Sequence, residues 1–254
     1  MVDELTTTRA EQAAQLLLAA RKTGNTLPHF PEELRPASQA DAHLIQNAML
    51  DSMGSIGGWK VFAGNDPAPF LSPIPANLIW DQGAQTPRGP LPIVLAELEI
   101  AAVLSRDLPA AADAYTAEKV QIAIRSFHPL IELITFSWSD RDQIDRLTQL
   151  ADLQNSAGFV VGEARVDWQA LETSNVECTL LMDGVEQVTT SDGANMDTIL
   201  ATIAMLANHA IDRGMPLRAG QVITTGARAI APINSASTVL GKVESLGSVY
   251  ATIR

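Results

Sequence analysis

The chain has 254 residues, 46% of them hydrophobic and 18% charged, so it can bury a sizeable core and does not have the composition of a disordered segment. Its 17 Lys+Arg against 29 Asp+Glu give a formal charge of −12, with no basic run longer than two residues; this excludes a nucleic-acid-binding surface and suits a divalent cation. One cysteine, Cys178, excludes an internal disulfide and a Cys-rich zinc site, and neither a signal peptide in MVDELTTTRAEQ nor an apolar run of about 18 residues is present, so a cytoplasmic protein without a membrane span is expected.

The first predicted helix runs from Thr8 to Lys22, with Thr8 and Glu11 as a capping box. Ala10, Ala13, Ala14, Leu17 and Leu18 fall on one face, and Gly24 stops it. Three prolines between Thr26 and Pro36 predict a loop. A second helix follows from Ala40 to Met53, started by Ser38 and Asp41, striped by Leu44, Ile45, Ala48 and Met49, and ended by Gly54. Trp59-Lys60-Val61-Phe62 predicts a short strand. Residues 64–92 are rich in Pro, Asn and Gly and predict only short extended pieces. The apolar run 93–104, IVLAELEIAAVL, predicts a long strand; a helix from Thr116 to Phe127 precedes Pro129 and the strand LIELITFSW. GFVVGEA is a further strand, and TLLMDGVEQV a hairpin whose Asp183-Gly184 suits a type I′ turn. A helix over Met196–Arg213 ends at Gly214, and VITTG and GSVYATI are strand-like.

Strands and helices do not alternate regularly, so a doubly wound sheet is disfavoured. The pattern predicts an α+β fold: a helical N-terminal region (1–58) packed on a mixed β-rich unit (59–254).

Two glutamates interrupt the run 93–104. In a strand, Val94, Ala96, Leu98, Ile100, Ala102 and Leu104 share one face, and Leu95, Glu97, Glu99, Ala101 and Val103 the other. Both faces are apolar, so the strand is expected to be buried on both sides, with two carboxylates on one face roughly 7 Å apart at about 3.3 Å per residue. Burying two unpaired anions costs several kcal/mol each, so they must protonate, pair with bases or bind a cation. Oxygen ligands suit Mg²⁺, Mn²⁺ or Ca²⁺. Glu132, alone in the apolar segment Leu130-Ile131-Glu132-Leu133-Ile134, is a third candidate. The competing reading makes all three exposed or salt-bridged strand residues. Lys60, between Trp59 and Val61, can bind a carboxylate, act in proton transfer, or simply snorkel from an edge strand.

The other titratable groups carry less. His128 reads as a helix-terminal residue before Pro129, His209 as structural, and His29 and His43 have no identifiable partners. No G-x-S-x-G elbow, Walker A sequence or Rossmann fingerprint is present, and AGNDPAP is a glycine-poor, weak phosphate loop.

Taken together and in chain order, GWKVFAG, AELEIAAVL, HPLIELI, ADLQNSAGFVVGE, PLRAGQVITTGA and VESLGSV resemble the 2-hydroxypenta-2,4-dienoate (2-keto-4-pentenoate) hydratases of the fumarylacetoacetate hydrolase superfamily. The resemblance spans residues 8–254. It implies a β-rich roll preceded by helices, assembled into homo-oligomers. It implies that Glu97 and Glu99, as an E-x-E pair, and Glu132 bind Mg²⁺ or Mn²⁺, with water and the substrate's 2-oxo-acid oxygens in the remaining positions. It places Lys60 near the substrate carboxylate or in proton transfer, and Ser156 and Thr225 against the substrate. The implied reaction is hydration of a 2-hydroxy-2,4-dienoate to a 4-hydroxy-2-oxo acid. The alternatives are decarboxylation of 2-oxo-3-hexenedioate, acylpyruvate C–C hydrolysis, or binding of a 2-oxo acid without turnover. Two departures bear on that choice. The acid that such hydratases carry before a D-G segment meets Asn77 or Ala76 in PANLIWDQG, with Asp81 shifted, and Ala227 stands where Ser or Thr is usual.

Overall fold

The computed structural model describes residues 5–62, 69–86, 89–191 and 193–253. Most of AGNDPAP, at 63–68, lies outside the described residues. The elements in chain order are α1 (Thr7–Thr23), α2 (Gln39–Met53), β1 (Ile56–Phe62), β2 (Phe70–Pro75), β3 (Ile79–Asp81), β4 (Ile93–Leu104), α3 (Ala117–Gln121), β5 (Ile124–Thr135), α4 (Arg146–Ala151), β6 (Ser156–Val161), β7 (Cys178–Met182), β8 (Val185–Thr190), α5 (Met196–Asp212), β9 (Val222–Pro232), β10 (Thr238–Val243) and β11 (Gly247–Thr252). A seven-stranded sheet has the order β2-β1-β9-β4-β5-β6-β3, and a four-stranded sheet the order β11-β10-β7-β8. The larger sheet is mixed: β1 runs parallel to β9 and β3 to β6, while the other pairs are antiparallel. The α+β reading holds.

β4 sits at the centre of the larger sheet, between β9 and β5. Its pleat sends Ala96, Leu98, Ile100, Ala102 and Leu104 into the core shared with the smaller sheet and α5. Ala101 and Val103 point the other way, onto a second apolar cluster with Ile74, Leu130 and Phe159. The strand is therefore covered on both faces. Each fully buried leucine here contributes about 1.5–3 kcal/mol of hydrophobic stabilisation, and the two glutamates stand out against that background. Within α5, Ile199, Leu200, Ile203, Leu206, Ala207 and Ala210 recur at helical spacing and fill the same core.

The N-terminal helices form their own cluster. Ala10, Ala13, Ala14 and Leu17 of α1 pack with Ala42, Ile45 and Met49 of α2, and with Trp138, Leu150 and Leu153 from the connection between β5 and β6. Helix α1 is capped by Thr6, whose side chain accepts from the Arg9 amide, rather than by a Thr8–Glu11 box. Ser38 and Asp41 do form a reciprocal capping box at α2. Leu44, counted in the apolar stripe of α2, is exposed. No helix among the described residues is long and apolar enough to cross a membrane.

The predicted helix Thr116–Phe127 needs correction. Helix α3 stops at Gln121, and β5 begins at Ile124, where Ile124 and Phe127 pair with Leu104 and Ala102 of β4. Long-range pairing into a buried ladder outweighs local helix preference here. Pro129 consequently lies inside a central strand, where it cannot donate to the ladder. The Gly162 amide still donates to the Pro129 carbonyl at 2.8 Å. The Gly162 carbonyl, which an ordinary residue at 129 would satisfy, is met instead by His128 Nδ1 at 2.8 Å. A carbonyl only accepts, so Nδ1 carries the proton, and Nε2 accepts from the Ser126 hydroxyl at 2.8 Å. Burial lowers the His128 pKa, Arg125 adds to the effect, and the bond to Gly162 opposes it. His128 is thus a buried strand residue, not a helix terminus.

The hairpin reading of β7–β8 holds, with Asp183 (φ 47°) and Gly184 (φ 80°) both left-handed, as a type I′ turn requires. β9 extends to Pro232, well past VITTG. β10 and α4 are elements that sequence periodicity left out.

Candidate metal centre and substrate cavity

The pairing of β4 with β5 builds the floor of the site. Glu97 is the register partner of Glu132, and Glu99 follows one pleat repeat along β4. Carboxylate oxygens of the three lie within 4.8 Å of one another. Glu132 and Glu99 are almost wholly buried, and Glu97 is half-buried. Like charges placed directly across a ladder repel, and burial raises the cost.

Lys60 answers part of that charge. Trp59 and Val61 point into the inter-sheet core, so the pleat of β1 turns Lys60 to the acidic face. Its Nζ lies 3.1 Å from Glu132 Oε2 and 3.4 Å from Glu97 Oε2. Burial alone would lower the ammonium pKa, but Glu132, Glu97 and Glu99 outweigh it and hold Lys60 above its ordinary range. It is neither a snorkelling lysine nor one poised as a free base at neutral pH.

A single ammonium does not neutralise three carboxylates. Burial and the neighbouring Glu97 push Glu99 up to about 7, against Lys60, the Gly226 amide and the Thr224 hydroxyl. Burial likewise holds Glu132 well above the carboxylate range, although Lys60 and the Ser156 hydroxyl pull it down. Apart from the Lys60 ammonium, 3.1 Å from Oε2, neither Glu132 oxygen has a well-aligned hydrogen-bond partner among the described residues. Three converging hard oxygen donors that share one ammonium, and so keep excess negative charge, fit a divalent cation.

Glu99 is aimed by a local irregularity in β9. The β4–β9 register shifts on either side of Glu99, opposite Ala227. There Gly226 takes φ 100°, a conformation that favours glycine. The distortion points two successive amides, Thr225 at 3.1 Å and Gly226 at 2.9 Å, at Glu99 Oε2. The Thr225 hydroxyl donates to the Ile100 carbonyl at 2.6 Å.

The last wall is a turn, Leu153–Asn155, between α4 and β6. All three residues are left-handed, with φ of 52°, 52° and 61°, and none is glycine. Such residues cost roughly 1–2 kcal/mol each, so the surroundings must impose the shape. Arg21 of α1 does so with three bonds: Nε to Asp152 Oδ1 at 2.8 Å, Nη2 to the Asp152 carbonyl at 3.0 Å and Nη1 to the Ser156 carbonyl at 2.8 Å. Gln154 Nε2 donates to Ser72 Oγ at 2.9 Å. Gln46 of α2 donates to the same Ser72 oxygen at 2.8 Å, and Arg213, the residue that caps the C-terminus of α5, donates to Gln46 Oε1 at 3.1 Å. The Gln154 backbone carbonyl accepts from Lys60 Nζ at 3.4 Å.

These walls enclose a cavity of about 520 Å³ whose lining includes Lys60, Glu97, Glu99, Gln154, Asn155 and Thr225. One pleat repeat beyond the acids, Leu95 and Ile134 make the lining apolar. Phe70, Phe136, Arg146 and Gln149 also line it, with the Arg146 guanidinium 4.9 Å from the Phe70 ring centre. The structure thus brings Lys60, Glu97, Glu99, Glu132 and Thr225 together. Ser156 is fully buried beside Glu132 rather than on the cavity lining. Ala227 lines the cavity, whereas Asn77 lines a separate cavity of about 290 Å³ and Asp81 ends β3 at the sheet edge. Gln154, Asn155, Gln46, Ser72 and Arg21 escaped the sequence reading. They have no charge pattern or spacing of their own, and only the polar cluster in ADLQNSAG, between two apolar stretches, could have marked the turn.

A family model described as fumarylacetoacetate (FAA) hydrolase C-terminal matches residues 45–254. A 2-keto-4-pentenoate hydratase of Paraburkholderia phymatum is 31% identical over 268 residues, covering 96% of this chain and 97% of its own. One from Burkholderia vietnamiensis is 32% identical over 182 residues, covering 70% and 67%. Among solved structures, the fold is similar to that of 4-oxalocrotonate decarboxylase from Pseudomonas putida G7, complexed with magnesium and adipate. That likeness has a TM-score of 0.84 at 20% identity, over 99% of this chain and 100% of that one. A fumarylpyruvate hydrolase from Pseudomonas aeruginosa, in complex with Mn²⁺ and pyruvate, has a TM-score of 0.55 at 14% identity, over 77% and 88%.

Proposed function

The chain belongs to the fumarylacetoacetate hydrolase family, and from that premise we propose that it is a metal-dependent hydratase that adds water to a 2-hydroxy-2,4-dienoate to give a 4-hydroxy-2-oxo acid. The observation that carries the reading is the convergence of Glu97, Glu99 and the fully buried Glu132 around Lys60, beside a cavity that Lys60, Glu97 and Glu99 line. The Paraburkholderia phymatum relative named as a hydratase, matched along nearly its whole length, supports the reaction class.

Glu97, Glu99 and Glu132 would hold Mg²⁺ or Mn²⁺. That ion supplies Lewis-acid stabilisation of negative charge developing on the substrate's C2 oxygen. The chain's own residues do the rest. Lys60 Nζ, charged and held at the cavity wall, binds the C1 carboxylate or delivers a proton. The enol loses its O–H proton as the distal carbon gains one, giving an α,β-unsaturated 2-oxo acid. Water then adds to the β-carbon, and a proton goes to the α-carbon. Leu95 and Ile134 hold the hydrocarbon part of the substrate. The proposal includes homo-oligomeric assembly in the cytoplasm and a division of the chain into a helical region, 1–58, and a roll, 59–254.

A spectrophotometric assay with a panel of 2-hydroxy-dienoates, with and without EDTA, tests the reading. Metal-dependent loss of dienoate absorbance with formation of the 4-hydroxy-2-oxo acid is expected. Carbon dioxide release from 2-oxo-3-hexenedioate would replace hydration by decarboxylation. Oxalate binding with no turnover of any substrate would leave a binding protein, with Asn77 and Ala227 the substitutions to examine.

A further inference from the structure

We propose that Arg21, which does not line the cavity, is a positioning residue for Lys60; the inference rests on the reading of Lys60 as the cation that meets the substrate. Arg21 sits in the last turn of α1, yet its guanidinium commits three donors to one short segment: the Asp152 carboxylate, the Asp152 carbonyl and the Ser156 carbonyl. Asp152 is fully buried, and the ion pair at 2.8 Å is largely shielded from water. The contact therefore spans the two ends of the left-handed turn Leu153–Asn155. No glycine within the turn makes its backbone easy, so the guanidinium fork supplies a constraint that the local sequence does not.

The output of that turn reaches Lys60. The Gln154 carbonyl accepts from Lys60 Nζ at 3.4 Å, while the Gln154 side chain anchors to Ser72 across β2. The other oxygens around Nζ belong to Glu97 and Glu132, the carboxylates offered to the cation. When those are engaged, the Gln154 carbonyl is the remaining described acceptor that keeps a long, flexible lysine pointed at the cavity. The N-terminal helix thus acts on the site through Arg21, the turn and Gln154. A lysine at position 21 cannot replace the fork, because an ammonium presents no planar set of donors.

The test is a double-mutant cycle read as oxalate affinity of the Mn²⁺-loaded protein by calorimetry. Arg21→Gln should weaken binding on the order of tenfold in the wild-type background, the scale of a small misplacement of a binding group. In the Lys60→Met background the same change should have no further effect, because its influence passes through Lys60. In the metal-free protein, hydrogen exchange at residues 152–156 should rise in Arg21→Gln while β4 and β5 keep their protection. Equal losses in both backgrounds, or no loss in either, would overturn the proposal and leave Arg21 as a staple for α1. If Arg21→Gln does not fold, Asp152→Asn takes its place in the cycle. Wild-type protein that binds oxalate but hydrates no dienoate would contradict the hydratase reading while leaving this test intact.

Discussion

Glu97 and Glu132 face each other directly across the β4–β5 ladder, and Lys60 from β1 reaches both. Two like charges in register are unfavourable in an antiparallel sheet, and an isolated pair would be avoided. Here a third carboxylate is added rather than removed, so the cluster is under-neutralised by construction. A divalent cation resolves it without moving the strands.

Ion binding should therefore stabilise the folded state. Adding millimolar Mg²⁺ or Mn²⁺ is expected to raise the melting temperature, since a ligand that binds only the native state stabilises it. The double change Glu97→Gln, Glu99→Gln should abolish that response, measured by thermal denaturation with an EDTA reference. A shift that survives the double change would contradict the ligand assignment.

The pH dependence has a definite sign. Glu99 in the metal-free protein is pushed up to about 7, above the ordinary carboxylate range. A raised carboxylate pKa favours the folded state at low pH, and that advantage is lost as pH rises from the ordinary range through 7. Relative to Glu99→Gln, the metal-free wild type should therefore lose on the order of 2 kcal/mol between pH 5 and pH 8. Ion binding competes with the proton, so the metal-induced stabilisation should grow over the same interval. Denaturant melts at both pH values, with EDTA and with Mg²⁺, measure both trends.

Lys60→Met separates electrostatic support from chemistry. Without the ammonium, the three acids face one another uncompensated, and the metal-free variant should lose about 3–5 kcal/mol at pH 8. The ion-dependent gain in melting temperature should be larger than in the wild type. In turnover, KM should rise with kcat little changed if Lys60 only binds; kcat should fall about 10²-fold or more if it moves a proton. An unchanged melt and unchanged kinetics would show that Lys60 takes no part in the site.

His128→Ala should destabilise the roll far from the cavity lining. It leaves the Gly162 carbonyl without the donor that stands in for the absent Pro129 amide. A buried carbonyl left unpaired costs about 1–3 kcal/mol. Urea unfolding gives the value, and metal affinity should be unaffected.

Assembly is checked by light scattering. Ile122, Val166 and Tyr250 are exposed apolar side chains, and a particle heavier than one chain is expected at micromolar concentration. A monomer would refute the oligomer.

Much of the acidic centre could be read in the sequence because a strand has a period of two. Once 93–104 is a strand covered on both faces, Glu97 and Glu99 must share a side, and Glu132 and Lys60 are anomalies in apolar runs for the same reason. The helices α1, α2 and α5 and the Asp183-Gly184 hairpin were legible because their signals are local: glycine stops, helical spacing, the Ser38–Asp41 cap of α2 and a turn with positive φ, although the cap of α1 is Thr6 and not Thr8. Ion-pair partners were not. That Glu132 stands opposite Glu97 depends on the register of β5, which the pairing of Ile124 and Phe127 with β4 sets against a helical local preference. That Lys60 meets both acids depends on the strand order, which puts β9 between β1 and β4, and β9 and β4 between β1 and β5. The left-handed turn, the Arg21 fork 131 residues from Asp152 and the substitution of His128 for a missing amide are likewise products of packing. Each matches a donor to an acceptor across elements remote in sequence, and nothing in the spacing of either residue marks the other until the sheet has closed between them.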